Sequence, residues 1–391
     1  MKHLGDITKI SGHIAPVVDV VVGGSPCQDL SIAGKRAGLD GERSGLFMEQ
    51  IRIIKEMRNE DERNGRAGVD IRPRYMVWEN VIGSFSSNRG EDFRIVLEET
   101  AKVADKNAVI PRPADGKWKT CGCIMADGWS IAWRVFDAQF WGVPQRRRRI
   151  ALVADFGGQS APEILFVRKS VSGDSEQGKS KRKETASDVA RSLGSTDCFG
   201  FDCYNSELTE DKQSTLGVNC GMSTGRNVVL CIDQGGGKSQ ANVQDDLSPT
   251  LSCTHGGEPA VCYEKNLRYI VRRLTPLECE RLQGYPDGWT DIGEWTDTKG
   301  KKRKTADAPR YKALGNSIAL PSWKWLLKRL CSCYERDVTM ASLFDGIGGF
   351  PLIMEHLNGK GTCLWASEIE EFPIAVTKAR IGGNDGYKGS F

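Results

Sequence analysis

Val17 to Val22 is a β-branched run interrupted only by Asp19 and closed by Gly23-Gly24, a pattern that predicts a buried parallel strand. Phe47, Ile51, Ile54 and Met57 then recur at helical spacing, and Ser44 is placed to cap the helix they imply. Tyr75-Met76-Val77-Trp78 predicts a second strand ending at Glu79-Asn80. Phe93 to Ala104 predicts another helix, and Ile150 to Val153 a third strand that closes at Asp155-Phe156-Gly157. From about 158 to 268 the pattern lapses into Ser, Gly, Asp and Lys with short apolar pieces, which predicts a separate loop- or β-rich unit. Periodicity returns at 274–282, with Pro276 in the first turn of a short helix, and at Pro321 to Tyr334, a helix carrying Trp323, Trp325, Leu326, Leu327 and Leu330. The remainder reads strand (Val338 to Phe344), glycine turn, helix (Phe350 to Leu357), strand (Thr362 to Ala366), a βαβ unit of the nucleotide-binding kind. Strands alternating with helices around an irregular insert predict an α/β fold: a doubly wound, mostly parallel sheet with a smaller loop- and β-rich domain.

Composition narrows this little. A chain of 391 residues, 27% charged and 39% hydrophobic, fits an ordinary globular protein of about two domains. There is no run approaching about 18 apolar residues, and Met1-Lys2-His3-Leu4-Gly5-Asp6 lacks the apolar core of a signal peptide, so a cytoplasmic protein without a membrane partner is expected. The 13 cysteines are scattered, Cys121-Gly122-Cys123 and Cys331-Ser332-Cys333 are not CxxC pairs, and four histidines supply no second ligand pair; reduced thiols and no metal are expected. The net charge of +3 says little, but basic residues cluster at Arg146 to Arg149, within 179–183 and at Lys301 to Lys304. Each cluster is either a solvated loop or a surface that tracks phosphates.

Two loops carry candidate chemistry. Phe344-Asp345-Gly346-Ile347-Gly348-Gly349-Phe350 follows a strand and opens a helix, so its backbone can approach a ligand closely. Glu368, about twenty residues on at the end of the next strand, suits ribose hydroxyls. A nicotinamide cofactor and S-adenosylmethionine both remain open at this point. The second loop, Gly23-Gly24-Ser25-Pro26-Cys27-Gln28, puts a thiol at the C-terminal end of a predicted parallel strand, where ligands bind. A thiol becomes a nucleophile only near a cation or a helix N-terminus, and Arg147 and Arg149 are the candidate cations, with Glu79 on the same sheet edge.

Pro26-Cys27-Gln28, Glu79-Asn80-Val81, Gln145 to Arg149, Arg273 to Pro276, Gln283 to Pro286, Gly315-Asn316-Ser317, Phe344 to Phe350 and Ser367-Glu368 together resemble the motif set of the cytosine-5 DNA methyltransferases. That resemblance implies S-adenosylmethionine as cofactor and a methyltransferase fold. It makes Cys27 the nucleophile, Glu79 the group on the cytosine nitrogen 3 edge, and Arg147 with Arg149 the cations of the site. It places Phe344, Gly346, Ile347, Gly348, Gly349, Glu368, Ile369, Asp6, Ile7, Asn316 and Ser317 around the cofactor. Ile369 departs from relatives that carry an aromatic residue there. In the family the glycine loop comes first; here it comes last, so the resemblance implies a circular permutation with Met1 to Leu4 and Lys378 to Phe391 as loose ends.

The resemblance also divides the chain into a first catalytic part (1–157), a target-recognition domain (158–268) and a second catalytic part (269–391). Ser31, Lys35, Arg36 and Arg43 would meet phosphates from the loop after Cys27, and Gln234, Lys238, Thr250 and Leu251 would lie in the recognition loops. The implied partner is double-stranded DNA, with the protein acting as a monomer, bacterial or phage-encoded, in functional pairing with a restriction endonuclease. A tRNA methyltransferase on the same scaffold is the nearest alternative, against which the long insert argues; a non-catalytic DNA-binding relative is another, against which Cys27, Glu79 and Arg147 argue. Residues Pro111 to Trp129 read as an extra loop without an assigned role.

Overall fold

A computed structural model describes residues 1–26, 45–166 and 274–381 in full, and between 201 and 273 the backbone of six short strands. Its centre is an eight-stranded sheet. The strands are β1 (Lys2–His3), β2 (Val20–Gly23), β3 (Tyr75–Val81), β4 (Cys121–Ala126), β5 (Trp129–Asp137), β6 (Arg148–Asp155) and the late strands Met340–Leu343 and Cys363–Ser367. In space they run β1, Cys363–Ser367, Met340–Leu343, β2, β3, β6, β5, β4. The first five pair in parallel; β6 is antiparallel to β3, and β4 to β5. The sheet is thus mostly parallel, as the alternating pattern implies.

The β-branched run forms a strand because it is buried on both faces: Val20, Val21, Val22 and Tyr75 to Trp78 have no exposed surface. One face is covered by the helices Leu46–Arg63 and Glu91–Ala101, whose Phe47, Ile51, Ile54, Met57, Phe93 and Leu97 join Val21, Met76 and Trp78 in one core. Each such side chain contributes about 1.5–3 kcal/mol on burial. On the helix Leu320–Cys331, Trp323 packs edge-on against Phe136 and Phe350 at 5.7 and 5.3 Å. Strand β2 begins at Val20 rather than Val17, because Asp19 turns to bind Arg336 and Thr339. Ser44, expected to cap the first long helix, lies outside the described residues; Gly45 occupies the cap position without a side-chain bond.

Two expectations are corrected. Met1 to Leu4 is not a loose end: Lys2 and His3 pair with Trp365 and Ala366, and the Leu4 N–H donates to the Ala366 carbonyl at 2.8 Å. At the other end, the helix Glu371–Arg380 carries order past Lys378, and 382–391 lie outside the described residues. The segment 111–129 is not simply a loop either. It contains β4, and Trp118 packs on Phe93 and Trp133 at 5.2 and 5.9 Å while donating its indole N–H to the Gly90 carbonyl. Strand β4 escaped the pattern because it is an edge strand whose residues alternate between exposed and half-buried, with none fully buried. Its Gly122 sits opposite Trp133, whose ring would lie 2.3 Å from an added Cβ. The glycine that weakens the strand signal is what makes room for the ring.

The chain separates into two compact units. The first, Met1–Phe136, Arg148–Val171 and Trp323–Tyr387, holds the sheet. The second comprises Asp137–Arg147, Ser172–Ser322 and Lys388–Phe391. Its described parts include an antiparallel sheet ordered Asn242–Asp245, Leu230–Asp233, Ala260–Lys265, Arg268–Arg273. They also include the helices Pro276–Gln283 and Asp307–Asn316 and a hairpin, Glu294–Thr296 with Lys302–Lys304. Thr275 closes a capping box with Glu278 at the start of the first of these helices, with Pro276 in its first turn as the sequence suggests.

Candidate active site

In a parallel sheet the loops that follow the strands gather along one edge, and here that edge collects four of them: after β2, after β3, after Leu343 and after Ser367. Because β6 runs the other way, its start at Arg148-Arg149 reaches the same edge.

After β2 the chain passes Gly23, Gly24, Ser25 and Pro26. Ser25 is pinned from β3: its hydroxyl accepts from the Trp78 indole N–H at 3.0 Å and from the Asn80 amide at 3.2 Å. Between those residues, Glu79 turns to the other face and pairs with Arg149, Oε1 to Nε 2.9 Å, both side chains mostly buried. Its second oxygen lies over Gly24, 3.0 Å from where a Cβ would stand. A side chain at Gly24 would therefore press on the carboxylate and shift it by a few tenths of an ångström. Glu79 is within β3 rather than at its end, because the strand continues to Val81. The next residue after Pro26, Cys27, lies outside the described residues, as do Ser31, Lys35, Arg36, Arg43, Gln234, Lys238, Thr250 and Leu251.

The glycine turn is built around Glu368. One oxygen of its carboxylate accepts from the Gly346 N–H at 2.7 Å, and the other from the N–H groups of Ile369 and Glu370 at 2.7 and 2.9 Å. Phe344, Gly346 and Gly348 take positive φ angles of 55°, 55° and 79°. An added Cβ at Gly346 would meet nothing within 4 Å, whereas at Gly348 it would strike Thr377 at 2.8 Å. The first glycine thus faces open space and the second is packed by the helix Glu371–Arg380. Ile347 is fully buried. Gly349 begins the helix Gly349–Asn358, and Ile369 is 69% exposed. Gly5-Asp6-Ile7 joins this edge from the opposite end of the chain, as the Ser367 hydroxyl donates to the Gly5 carbonyl at 2.8 Å. Asp6 caps the turn that follows by accepting from Thr8, and Ile7 is buried.

Two buried polar groups here were not singled out by sequence. Asp345 accepts from the Ser342 hydroxyl at 2.6 Å through one oxygen, while the other has no partner. Burial, with a contribution from the nearby Glu368 charge, pushes its carboxyl up to about 8 despite the Ser342 bond. Gln50, on the first long helix, is fully buried with both amide atoms unpartnered, and its Oε1 would lie 2.4 Å from a Cβ on Gly23. The available signal was a polar residue inside the apolar stripe of Phe47, Ile51 and Ile54.

The remaining sequence candidates belong to the second unit. Arg147 is buried and donates from Nη2 to the carbonyls of Gly315 (3.1 Å) and Ser317. Ser317 shares a 2.5 Å hydroxyl bond with Tyr285, while Asn316 is exposed at the end of its helix. Gln283 donates to the Leu314 carbonyl at 2.7 Å. Two widely separated sequence motifs, around Gln283 and around Gly315, are thereby joined to the arginine run.

The parallel sheet, the glycine turn held by an acid and the acid–arginine pair beside Gly24 define the S-adenosylmethionine-dependent methyltransferase fold. Within that class the chain belongs to the C-5 cytosine-specific DNA methylase family, whose model matches residues 1–104 and 123–332. The interruption falls on the segment that carries Trp118 and leads into β4. A relative in Escherichia phage P1, a DNA N-6-adenine-methyltransferase, is 30% identical over 431 aligned positions, covering 86% of this chain and 56% of that protein. The type II methyltransferase M1.ScrFI of Lactococcus lactis subsp. cremoris is 25% identical, covering 85% of this chain and 67% of its own. This chain therefore spans little more than half the length of the phage relative. Among solved structures, the S. pombe Dnmt2 methyltransferase is similar over 84% of this chain and 83% of its own, at 16% identity and a TM-score of 0.44.

S-adenosylmethionine is the cofactor this family uses, and the turn fits it. Glu368 is partly exposed, the oxygen that accepts from Gly346 keeps a second lone pair for a ribose hydroxyl, and the space over Gly346 is open. Among the described residues no helix is long and apolar enough to cross a membrane.

Proposed function

We propose that the protein methylates carbon 5 of a cytosine in double-stranded DNA at a specific sequence. The observation that carries this reading is the corner at Gly24. There a carboxylate paired with Arg149 overlies the backbone three residues before Cys27, and Ser25 is held by Trp78 and Asn80. That corner suits a step in which a thiolate and a proton-handling acid meet one ring.

Carbon 5 of cytosine is a weak nucleophile. Attack by the Cys27 thiolate forms a sulfur–carbon 6 bond and moves an electron pair toward carbon 5, while Glu79 meets the charge that grows at nitrogen 3. Arg149 holds Glu79 in place, and Arg147 is the cation we assign to orienting and stabilising the base. S-adenosylmethionine, when bound at Phe344 to Gly349 and Glu368, supplies an electrophilic methyl group. Loss of the carbon 5 proton to a base then lets the sulfur–carbon 6 bond break and frees Cys27. Carbons 5 and 6 are hidden in a stacked duplex, so the base must first leave the helix, at a cost of a few kcal/mol. Phe344, Gly346, Ile347, Gly348, Gly349, Ile369, Asp6, Ile7, Asn316 and Ser317 form our proposed cofactor shell. Ser31, Lys35, Arg36, Arg43, Gln234, Lys238, Thr250 and Leu251 are the proposed DNA contacts. The division at 157 and 268, the permuted motif order, a monomeric state and pairing with a restriction endonuclease belong to the same reading. The type II names among the relatives support the last of these.

The phage P1 relative's name supplies a second reading, methylation of adenine nitrogen 6. An exocyclic amine attacks the methyl group itself and needs no thiol, so one assay separates the two. Protein and a Cys27→Ser variant are incubated with methyl-labelled S-adenosylmethionine and duplex DNA, and in parallel with tRNA, and the nucleosides are then separated. Label in 5-methylcytosine from DNA, lost on Cys27→Ser, is the expected result. Label in N6-methyladenine, or label that survives the substitution, would overturn the cytosine mechanism.

A further inference from the structure

The hairpin between the helices Pro276–Gln283 and Asp307–Asn316 is absorbed by neither the cofactor site nor the cytosine chemistry. Glu294–Thr296 pairs antiparallel with Lys302–Lys304, in the register Glu294 to Lys304, Trp295 to Arg303 and Thr296 to Lys302. From Glu294 to Lys304 it holds five cations and two carboxylates, a net charge of +3, as much as the whole chain carries. A charge run of this kind is often just a solvated loop. Here the loop is built.

Asp297 is buried at the turn and accepts from the N–H groups of Lys299 and Lys301 at 3.0 and 2.8 Å and from Arg303 Nε at 3.0 Å. The Lys301 N–H bond leads the interactions that hold Asp297 below the usual carboxylate range. Gly300 takes φ +77° and donates to the Asp297 carbonyl, closing the turn, and Thr305 bonds back to the Gly293 carbonyl through both N–H and hydroxyl, closing the base. One anion is thus used internally, on the turn and on Arg303. Lys299, Lys301, Lys302 and Lys304 are exposed and make no ion pair among the described residues, although Glu294 stands across from Lys304. Lys302 and Lys304 share one face of the strand, about 7 Å apart. A fixed row of unpaired ammonium groups matches a polyanion with regularly spaced charges. It offers no apolar surface for a folded protein partner, since the hairpin's indole, Trp295, is on the other face and half-buried.

We propose that the hairpin 294–304 is a phosphate-backbone contact for duplex DNA, reading no sequence and adding to the affinity of the recognition region in the same unit. The inference rests on the reading of DNA as substrate. Its test is the salt dependence of DNA binding by the full chain. Neutralising Z phosphates gives a slope of log K against log salt of about −0.9Z. The pair Lys302→Gln with Lys304→Gln is expected to make the slope shallower by about 1.8, and Lys302→Arg with Lys304→Arg to restore it. Lys106→Gln with Lys360→Gln removes the same charge from exposed positions in the other unit and is expected to leave the slope as in the wild type.

An unchanged slope with the hairpin pair overturns the proposal. So does an equal change with the control pair, which would reduce the effect to net charge. A change seen on duplex RNA of equal length but not on DNA would also overturn it, assigning the surface to RNA. The wild type's own methylation of DNA is measured alongside; its absence would count against the substrate reading, whereas an unchanged slope in an active protein counts against the hairpin alone.

Discussion

The two edges of the same sheet treat their buried aspartates in opposite ways. At the edge where the parallel strands begin, Asp19 accepts from both terminal nitrogens of Arg336 and from the N–H and hydroxyl of Thr339. Asp155 there accepts from Arg74 through two bonds, from Ser160 through two, and from the Gly157 N–H. Burial alone would raise both acids, yet these bonds outweigh it and hold both below the usual carboxylate range. The Tyr334 hydroxyl is left unpaired at that edge. At the edge where the strands end, Asp345 keeps an oxygen without a partner and is pushed up, and Gln50 buries an amide with no bonds at all. Unsatisfied buried polar groups cost stability and are rare, so Asp345 and Gln50, beside the glycine turn and the Gly24 corner, support the working edge of our proposal.

Substitutions can break this contrast, and the largest effect is expected at the satisfied edge. Asp155→Ala leaves Arg74 without its carboxylate and should cost about 3 kcal/mol of stability in urea unfolding. The folded fraction should still bind S-adenosylhomocysteine normally. A loss of stability typical of a surface pair, below about 1 kcal/mol, would show that the satisfied edge is not what holds the sheet. At the working edge Glu79→Gln should act mainly on the chemistry: kcat falls on the order of 100-fold, about 2.7 kcal/mol in the barrier, while the amide oxygen still accepts from Arg149 and keeps the stability loss below that of Asp155→Ala. An unchanged single-turnover rate would remove Glu79 from the chemistry.

The smallest effect sharpens the contrast through pH. Asp345 binds its proton more tightly folded than unfolded, so between its ordinary value of 3.8 and the folded value of about 8 stability falls as pH rises. Asp345→Asn keeps a neutral group of the same shape. The stability difference between variant and wild type should therefore move in the variant's favour by about 1 kcal/mol between pH 6 and 7. A difference that stays constant with pH would mean that Asp345 is ionised in the folded protein, like Asp19 and Asp155.

Legibility followed the strength of the local pattern. Val20 to Gly23, Tyr75 to Trp78 and the late βαβ unit announce themselves because their strands are continuous buried runs and the helix carries a repeating apolar face. Strands β1 and β4 do not: the first has two residues, and the second presents an exposed edge with a glycine under a tryptophan. Of the candidate site, Glu79, Arg149, Gly346 and Glu368 were legible as motif residues, but not as partners. Nothing local tells Glu79 to take Arg149 instead of Arg147, since that choice depends on antiparallel register between β3 and β6, and Arg147 turns instead to Gly315 and Ser317.

The sequence by itself determined the long buried elements, the α/β class, the residues capable of the chemistry and the basic run at 301–304, because those depend on side-chain type and short-range spacing. Only the tertiary structure decided that Lys2-His3 pairs beside Cys363–Ser367, and that Gly5 meets Ser367 across the length of the chain. It alone decided that Asp345 is buried without a second partner while Asp155 is satisfied. One aspartate closes a strand and the other follows one by two residues, and their local sequences look equally polar. What separates them is which distant donors the fold delivers, a property of strand order and helix packing that no window of neighbouring residues contains.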